Sequence, residues 1–247
     1  MRIEAGQSFV WRVLPGRDRL IAFSLPLALL AACAGPAEKA AQQAAIAQQL
    51  MEAGNLPAAR AAIGKALSYG GDNVEILLLD ARIKVRMSDL RGAFDAYRTV
   101  LVFQPDNLEA LGNVAQMGVM VSEEEIARDA IKRVMAIDPL NPEMLLTSGV
   151  LALRDDNFPE ALRLGDQILS TSRGDPRGLA LKARALTRMG RGAEALKMLR
   201  DQIALTGNDS MTAGALLETA RAQGDVATML EQFPLLIQGL PQSSELV

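Results

Sequence analysis

Six positions in this chain recur with a period of 34 residues: Gly54, Ser88, Ser122, Asp156, Gly190 and Gly224. Each is followed by a residue that suits a turn or the start of a helix. Other columns keep the same phase. Five residues after each turn position stand Ala59, Ala93, Ala127, Ala161 and Ala195, with Met229 closing the series. Seven before it stand Ala47, Ala81, Ala115, Gly149 and Ala183, then Leu217. Thirteen after it stand Leu67, Leu101, Met135, Leu169, Ile203 and Ile237. Three columns in phase at this period predict a solenoid, in which each unit buries its apolar face against its neighbours.

Within a unit the apolar residues recur at three and four, the helical spacing. Each unit therefore reads as two helices joined by a tight turn, the first pair over residues 40–53 and 56–68. Asn107, Asn141, Asp175 and Asp209 fall where first helices begin and can cap free N–H groups. Pro142 and Pro176 follow as first helical residues, where a missing N–H costs nothing. Pro105, Pro139 and Pro241 end second helices. Apolar residues make up 49% of the chain and aromatics only 4%. Such Ala- and Leu-rich packing suits closely approaching helices and fits a β-sandwich poorly. Small residues at the crossing let the two helices of a unit pack tightly, and the larger column fills the gap to the next unit.

These columns resemble the tetratricopeptide repeat. The resemblance implies an all-α, right-handed α-solenoid of about six units over residues 40–243, divided at 40–73, 74–107, 108–141, 142–175, 176–209 and 210–243, with 244–247 as a tail. The sequence departs from the family in places. The family's Trp is missing from the repeats, Trp11 lying outside them. Asp80, Ser148 and Lys182 stand where Leu is preferred. Gly165 replaces an aromatic, so loose packing is expected in the fourth unit. Pro234 and large residues in both small columns mark the last unit as a cap. The family's first helices line a concave face on which ligand peptides lie. In this register the face presents Gln48, Arg82, Gln116, Val150, Arg184 and Glu218 in one row. Glu52, Arg86, Met120, Arg154 and Arg188 form a second row, with Met51, Val85, Val119 and Leu153 beside it. Arg pairs with carboxylates by a planar fork, and Met adapts to irregular partners. The expected partner is thus a peptide segment or subunit with an acidic group and apolar anchors. The competing expectation is that these Arg solvate a helix face and pair internally with Glu75, Glu109 and Glu143. The family's Lys/Asn clamp for a terminal carboxylate is missing, which argues against a chaperone partner.

The chain contains no His and a single Cys. Loss of His removes the usual general base, the Ser/His and Cys/His pairs and most zinc sites. No catalytic activity, cofactor, metal or small-molecule substrate is expected. A net charge of −3, with no basic block, argues against nucleic acid as the main partner. The run Glu123 to Glu125 opens a second helix, where acids suit the helix dipole.

The N-terminus reads as an address. Arg12, Arg17 and Arg19 precede an apolar run over residues 20–32 that is too short to span a membrane, a signal-peptide pattern. Leu30-Ala31-Ala32-Cys33 resembles the lipobox of bacterial lipoproteins, and Cys33 is the only cysteine. That resemblance implies cleavage after residue 32, lipidation of Cys33, and a short tether over 33–39. Acyl chains at this site would anchor the mature protein without spanning the bilayer. Ala34 in place of the family's retention Asp implies the outer membrane, with the body facing the periplasm. A lipid-anchored periplasmic scaffold for an envelope machine is the expected function. By architecture it resembles the repeat lipoproteins of pilus systems, either tight-adherence or type IV. Regulation of a peptidoglycan hydrolase or protease, or a part in exopolysaccharide export, are the alternatives.

Overall fold

The computed structural model describes residues 35–70, 72–207 and 209–231. The leader, Cys33, Pro234, Ile237 and Pro241 lie outside them. Among the described residues the secondary structure is helical, without strands. Eleven helices are bounded: α1 (Pro36–Glu52), α2 (Leu56–Tyr69), α3 (Val74–Arg86), α4 (Leu90–Phe103), α5 (Leu108–Met120), α6 (Glu124–Ile137), α7 (Pro142–Arg154), α8 (Phe158–Thr171), α9 (Pro176–Arg188), α10 (Gly192–Thr206) and α11 (Ser210–Gln223). Residues 226–231 begin a further helix. Odd-numbered helices are the first of each unit and even-numbered ones the second. Each helix packs on its chain neighbours, and first helices also pack on each other in the pairs α1–α3, α5–α7, α7–α9 and α9–α11. None is long and apolar enough to cross a membrane.

The turn column has a backbone reason. Gly54, Ser88, Ser122, Asp156, Gly190 and Gly224 all take positive φ, between 56° and 78°. The left-handed residue reverses the chain between the two helices, and Gly adopts it without steric cost. Asx residues then start the helices. Asn73, Asn107, Asn141, Asp175 and Asp209 accept from backbone N–H groups at the starts of α3, α5, α7, α9 and α11. Asn55, Asp89 and Asn157 do the same for α2, α4 and α8. Glu123 and Arg191 occupy the equivalent positions before α6 and α10 and make no side-chain cap.

The Ala members of both small columns, from Ala47 to Ala195, have no exposed surface. At Gly149 a Cβ would stand 2.2 Å from a Leu181 methyl, so Leu181 occupies the space that Ala fills elsewhere. The column of larger residues joins the core into a chain of clusters. Leu67 packs against the clusters of units one to two and two to four, and Met135 against those of units two to four and four to five.

Two expectations are corrected here. Gly165 does not loosen the fourth unit. A Cβ on it would lie 3.2 Å from the Gly178 carbonyl and the Lys182 backbone, so α9 has closed onto α8 where an aromatic would have held them apart. Gly178 meets Ile168 and Leu169 equally closely from the other side. Residues 36–39, expected as tether, belong to α1. Pro36 opens the helix after Gly35, and Glu38 in the first turn complements its dipole.

Candidate functional site: the wall of first helices

First helices meet along one wall, and recesses open between them. Gln48 and Arg82 border a recess of about 510 Å³ between α1 and α3, floored by Ala44, Ile76 and Leu79. Gln116 borders one of about 270 Å³ enclosed by α5, the end of α6 and the start of α7. Val150, Arg184 and Glu218 border one of about 470 Å³ across α7, α9 and α11. Leu153, Arg184 and Arg188 line a smaller one, of about 190 Å³, beside it. Each of the six residues of the row expected at a period of 34 therefore borders one of these recesses. Helical periodicity explains why: residues one turn apart share a face, and equivalent faces of stacked units align.

The second row is mixed. Glu52, Arg86, Met120, Arg154 and Arg188 are exposed. Met51 and Leu153 are half-buried, and Val85 is exposed at the margin. Val119 must be withdrawn from the surface. It is 4% exposed and belongs to the central cluster with Phe94 and Ala127, because its position turns toward the second helices. What it contributes is its carbonyl, which accepts from Arg154 Nη1 at 2.7 Å.

Most of the wall's Arg residues are tied to acids of neighbouring units. Arg82 forks onto both carboxylate oxygens of Glu109, with Nε 2.7 Å from Oε1. Arg154 reaches Glu124 at 3.1 Å, Arg184 reaches Glu218 at 2.9 Å and Arg188 reaches Asp156 at 2.8 Å. The Arg188 guanidinium also lies 4.8 Å from the Phe158 ring centroid. Arg86 has no ion pair among the described residues. Of the internal partners expected, Glu109 takes Arg82, but Glu143 takes Arg177, and among the described residues no ion pair reaches Glu75. The bond from Glu109 raises the Arg82 pKa, and burial beside the same carboxylate pushes the Tyr97 hydroxyl up to about 12. The wall pairs remain roughly half exposed, as with Arg184 and Glu218 at 49% and 54%. Such pairs contribute about 0–1 kcal/mol. They can exchange partners at little cost.

Several lining residues escaped the sequence reading: Leu146, Arg177, Ala180 and Met211 in the recess across α7, α9 and α11. A usable signal existed. Arg177 and Met211 precede Arg184 and Glu218 by seven residues, two turns along the same face. Among the described residues no group of three or more His, Cys, Asp or Glu is placed to hold a metal ion. The wall offers recesses rimmed by half-exposed guanidinium–carboxylate pairs.

No protein-family model and no curated protein matches the chain. Solved structures do. A tetratricopeptide repeat protein from Parabacteroides merdae superposes with a TM-score of 0.72 at 18% identity, over 83% of this chain and 81% of its own. PilW, described as a widely conserved type IV pilus biogenesis factor, gives 0.65 at 18% identity over 83% and 96%. YrrB, described as having an unusual peptide-binding site, gives 0.61 at 15% identity over 78% and 97%. The fold is that of a tetratricopeptide-repeat solenoid.

Proposed function

We propose that this protein is a protein–protein interaction scaffold of the bacterial envelope, lipid-anchored through Cys33 to the outer membrane. Its wall of first helices takes an extended or helical partner segment that carries a carboxylate between apolar side chains. The observation that carries this reading is that every residue of the row at a period of 34 borders a recess, with half-exposed Arg82 and Arg184 on the rims. Each incoming carboxylate can replace an internal one on the same guanidinium, so the bond is exchanged and not left unmade. The lipobox and the likeness in fold to PilW support an envelope machine, such as a pilus system, as the destination.

Crosslinking in intact cells, followed by identification of the captured protein, tests the role; pilus or secretin subunits are expected. Capture confined to peptidoglycan hydrolases or proteases would place the protein in enzyme regulation instead. The groove is tested with Arg184→Glu and Arg188→Glu together. Capture should fall steeply while melting changes little, since the pairs lost are exposed. Adding Glu218→Arg restores the internal pair with the charges exchanged. If that variant regains capture, the Arg served only to hold α9 to α11. Cys33→Ser should release the protein from the membrane fraction. Persistence there after a salt wash would overturn the lipid anchor.

A further inference from the structure

The recess across α7, α9 and α11 is open at Gly214. This glycine lies inside α11, and a Cβ added to it would meet nothing within 4 Å. Glycine in a helix interior is less stable than alanine. Four other helix-interior glycines have a packing reason. A Cβ on Gly118, Gly149, Gly165 or Gly178 would stand between 2.2 and 3.2 Å from its nearest neighbour. Gly214 has no such neighbour, and the space left by its missing side chain belongs to the recess of about 470 Å³. That volume falls within the range of ligand pockets, roughly 300–1,000 Å³. Gly112 repeats the arrangement at the recess of Gln116. Gly64 shares the open space but stands exposed on α2.

Leu146, Val150, Ala180 and Met211 give the same recess an apolar lining, and Arg177 and Arg184 stand on its rim. The two cations are held differently. All three side-chain nitrogens of Arg177 are engaged, by Asp175 and Glu143. Arg184 donates only through Nε, to Glu218 at 2.9 Å, and its two terminal nitrogens have no acceptor among the described residues. A carboxylate can therefore take the fork of Arg184 without displacing Glu218.

We propose that this recess is a socket for one bulky apolar side chain of the partner segment, followed by an acidic residue that binds the terminal nitrogens of Arg184. The assignment rests on the groove reading above and gives it a specificity. Gly214 is the residue that sets it: the partner's side chain fills the volume that a larger residue of α11 would take. Burying an apolar side chain against this lining is favourable, and the charge beside it is met by a cation with donors to spare.

Short Gly/Ser peptides with Phe-Glu, Ala-Glu or Phe-Gln at the centre serve as probes, titrated by fluorescence anisotropy onto the full-length protein in lipid nanodiscs. The Phe-Glu peptide should bind about tenfold or more tighter than either counterpart. Its binding should weaken as salt rises. Gly214→Leu should lower that affinity about tenfold or more, with melting at or above wild type because the space is open. Gly214→Ala should raise the melting temperature by about 2 °C and weaken binding by less. Gly64→Ala should raise it likewise and leave binding unchanged. Unaltered binding of the Phe-Glu peptide to Gly214→Leu, or equal binding of the Ala-Glu peptide, would overturn the socket. If that binding is still lost in Arg184→Glu with Arg188→Glu, the groove stands and only the socket fails; if it survives there too, the groove reading fails with it. Binding by none of the peptides would also overturn the socket, and crosslinking in cells would then test the groove alone. Decanoate that binds as tightly as the Phe-Glu peptide, and is lost in Gly214→Leu, would reassign the recess to a fatty acid.

Discussion

Three residues with side chains, Ser88, Ser122 and Asp156, hold the left-handed backbone that Gly holds in the other turns. The conformation costs an L-residue roughly 1–2 kcal/mol, and Gly gives back part of that through its freer unfolded chain. At Gly190 an added Cβ would meet nothing within 4 Å. Gly190→Ala therefore isolates the conformational term and should destabilise by about 1 kcal/mol. Ser88→Gly should be neutral or slightly stabilising. Denaturant melts of both check this, and opposite signs would mean the turns are not what sets the column. Asp175 makes a separate prediction. Its carboxylate accepts from the Arg177 side chain and backbone, which holds its pKa below the ordinary value. A depressed folded pKa stabilises the protein above the unfolded pKa, near 4, and that stability is lost as pH falls through the folded value. Asp175→Asn keeps the cap acceptor that Asn107 and Asn141 use and removes the titration. The wild-type melting temperature should fall more than the variant's between neutral pH and about pH 3. Parallel profiles would show that Asp175 does not couple to folding.

At the scale of the helix, the uncapped starts of α6 and α10 stand out among the Asx-capped ones. Arg191 spends its side chain on Glu194, an exposed pair of little worth. Arg191→Asn should add a cap and stabilise by about 1 kcal/mol, read as a rise in melting temperature. The helix crossings respond in the other direction. Ala93 and Ala127 have no exposed surface and lie where the two helices of a unit are closest. Ala93→Leu or Ala127→Leu should cost about 1–3 kcal/mol. Gly165→Ala belongs with them, because its Cβ would press on the backbone of α9 at 3.2 Å, and backbone cannot rotate away. A melt of Gly165→Ala at or above wild type would return the fourth unit to the loose packing expected from its missing aromatic.

Across the whole molecule, stability follows the chain of clusters. The central one runs from Leu77 to Leu151 and holds the fully buried Phe94 and a nearly buried Tyr97, whereas the first is built largely of Ala. In a solenoid each unit leans only on its neighbours, so ends open first. Amide exchange should be slowest in α4 to α6 and faster toward α1 and α11. Uniform protection from end to end would indicate a single cooperative block. The charged side chains form a second whole-molecule pattern: pairs such as Arg82–Glu109, Arg128–Asp155 and Arg184–Glu218 stitch unit to unit across separations of 27 to 34 residues.

The period of 34 determined the fold class, because left-handed turns, Asx caps and methyl-sized crossings are demanded by the local backbone at fixed places in every unit. Those demands are written one residue at a time and can be read without the neighbours. The row of residues that faces the recesses was legible for the same reason, since a helix face follows from spacing alone. The state of each side chain on that face was not. Whether Arg184 is free or paired depends on Glu218, a residue one full unit away and brought opposite only by stacking. Val119 turned into the core, and α9 closed onto Gly165, through the same through-space packing. Sequence periodicity fixes direction around a helix axis; the tertiary structure decides distance to the next helix, and burial and charge pairing depend on distance.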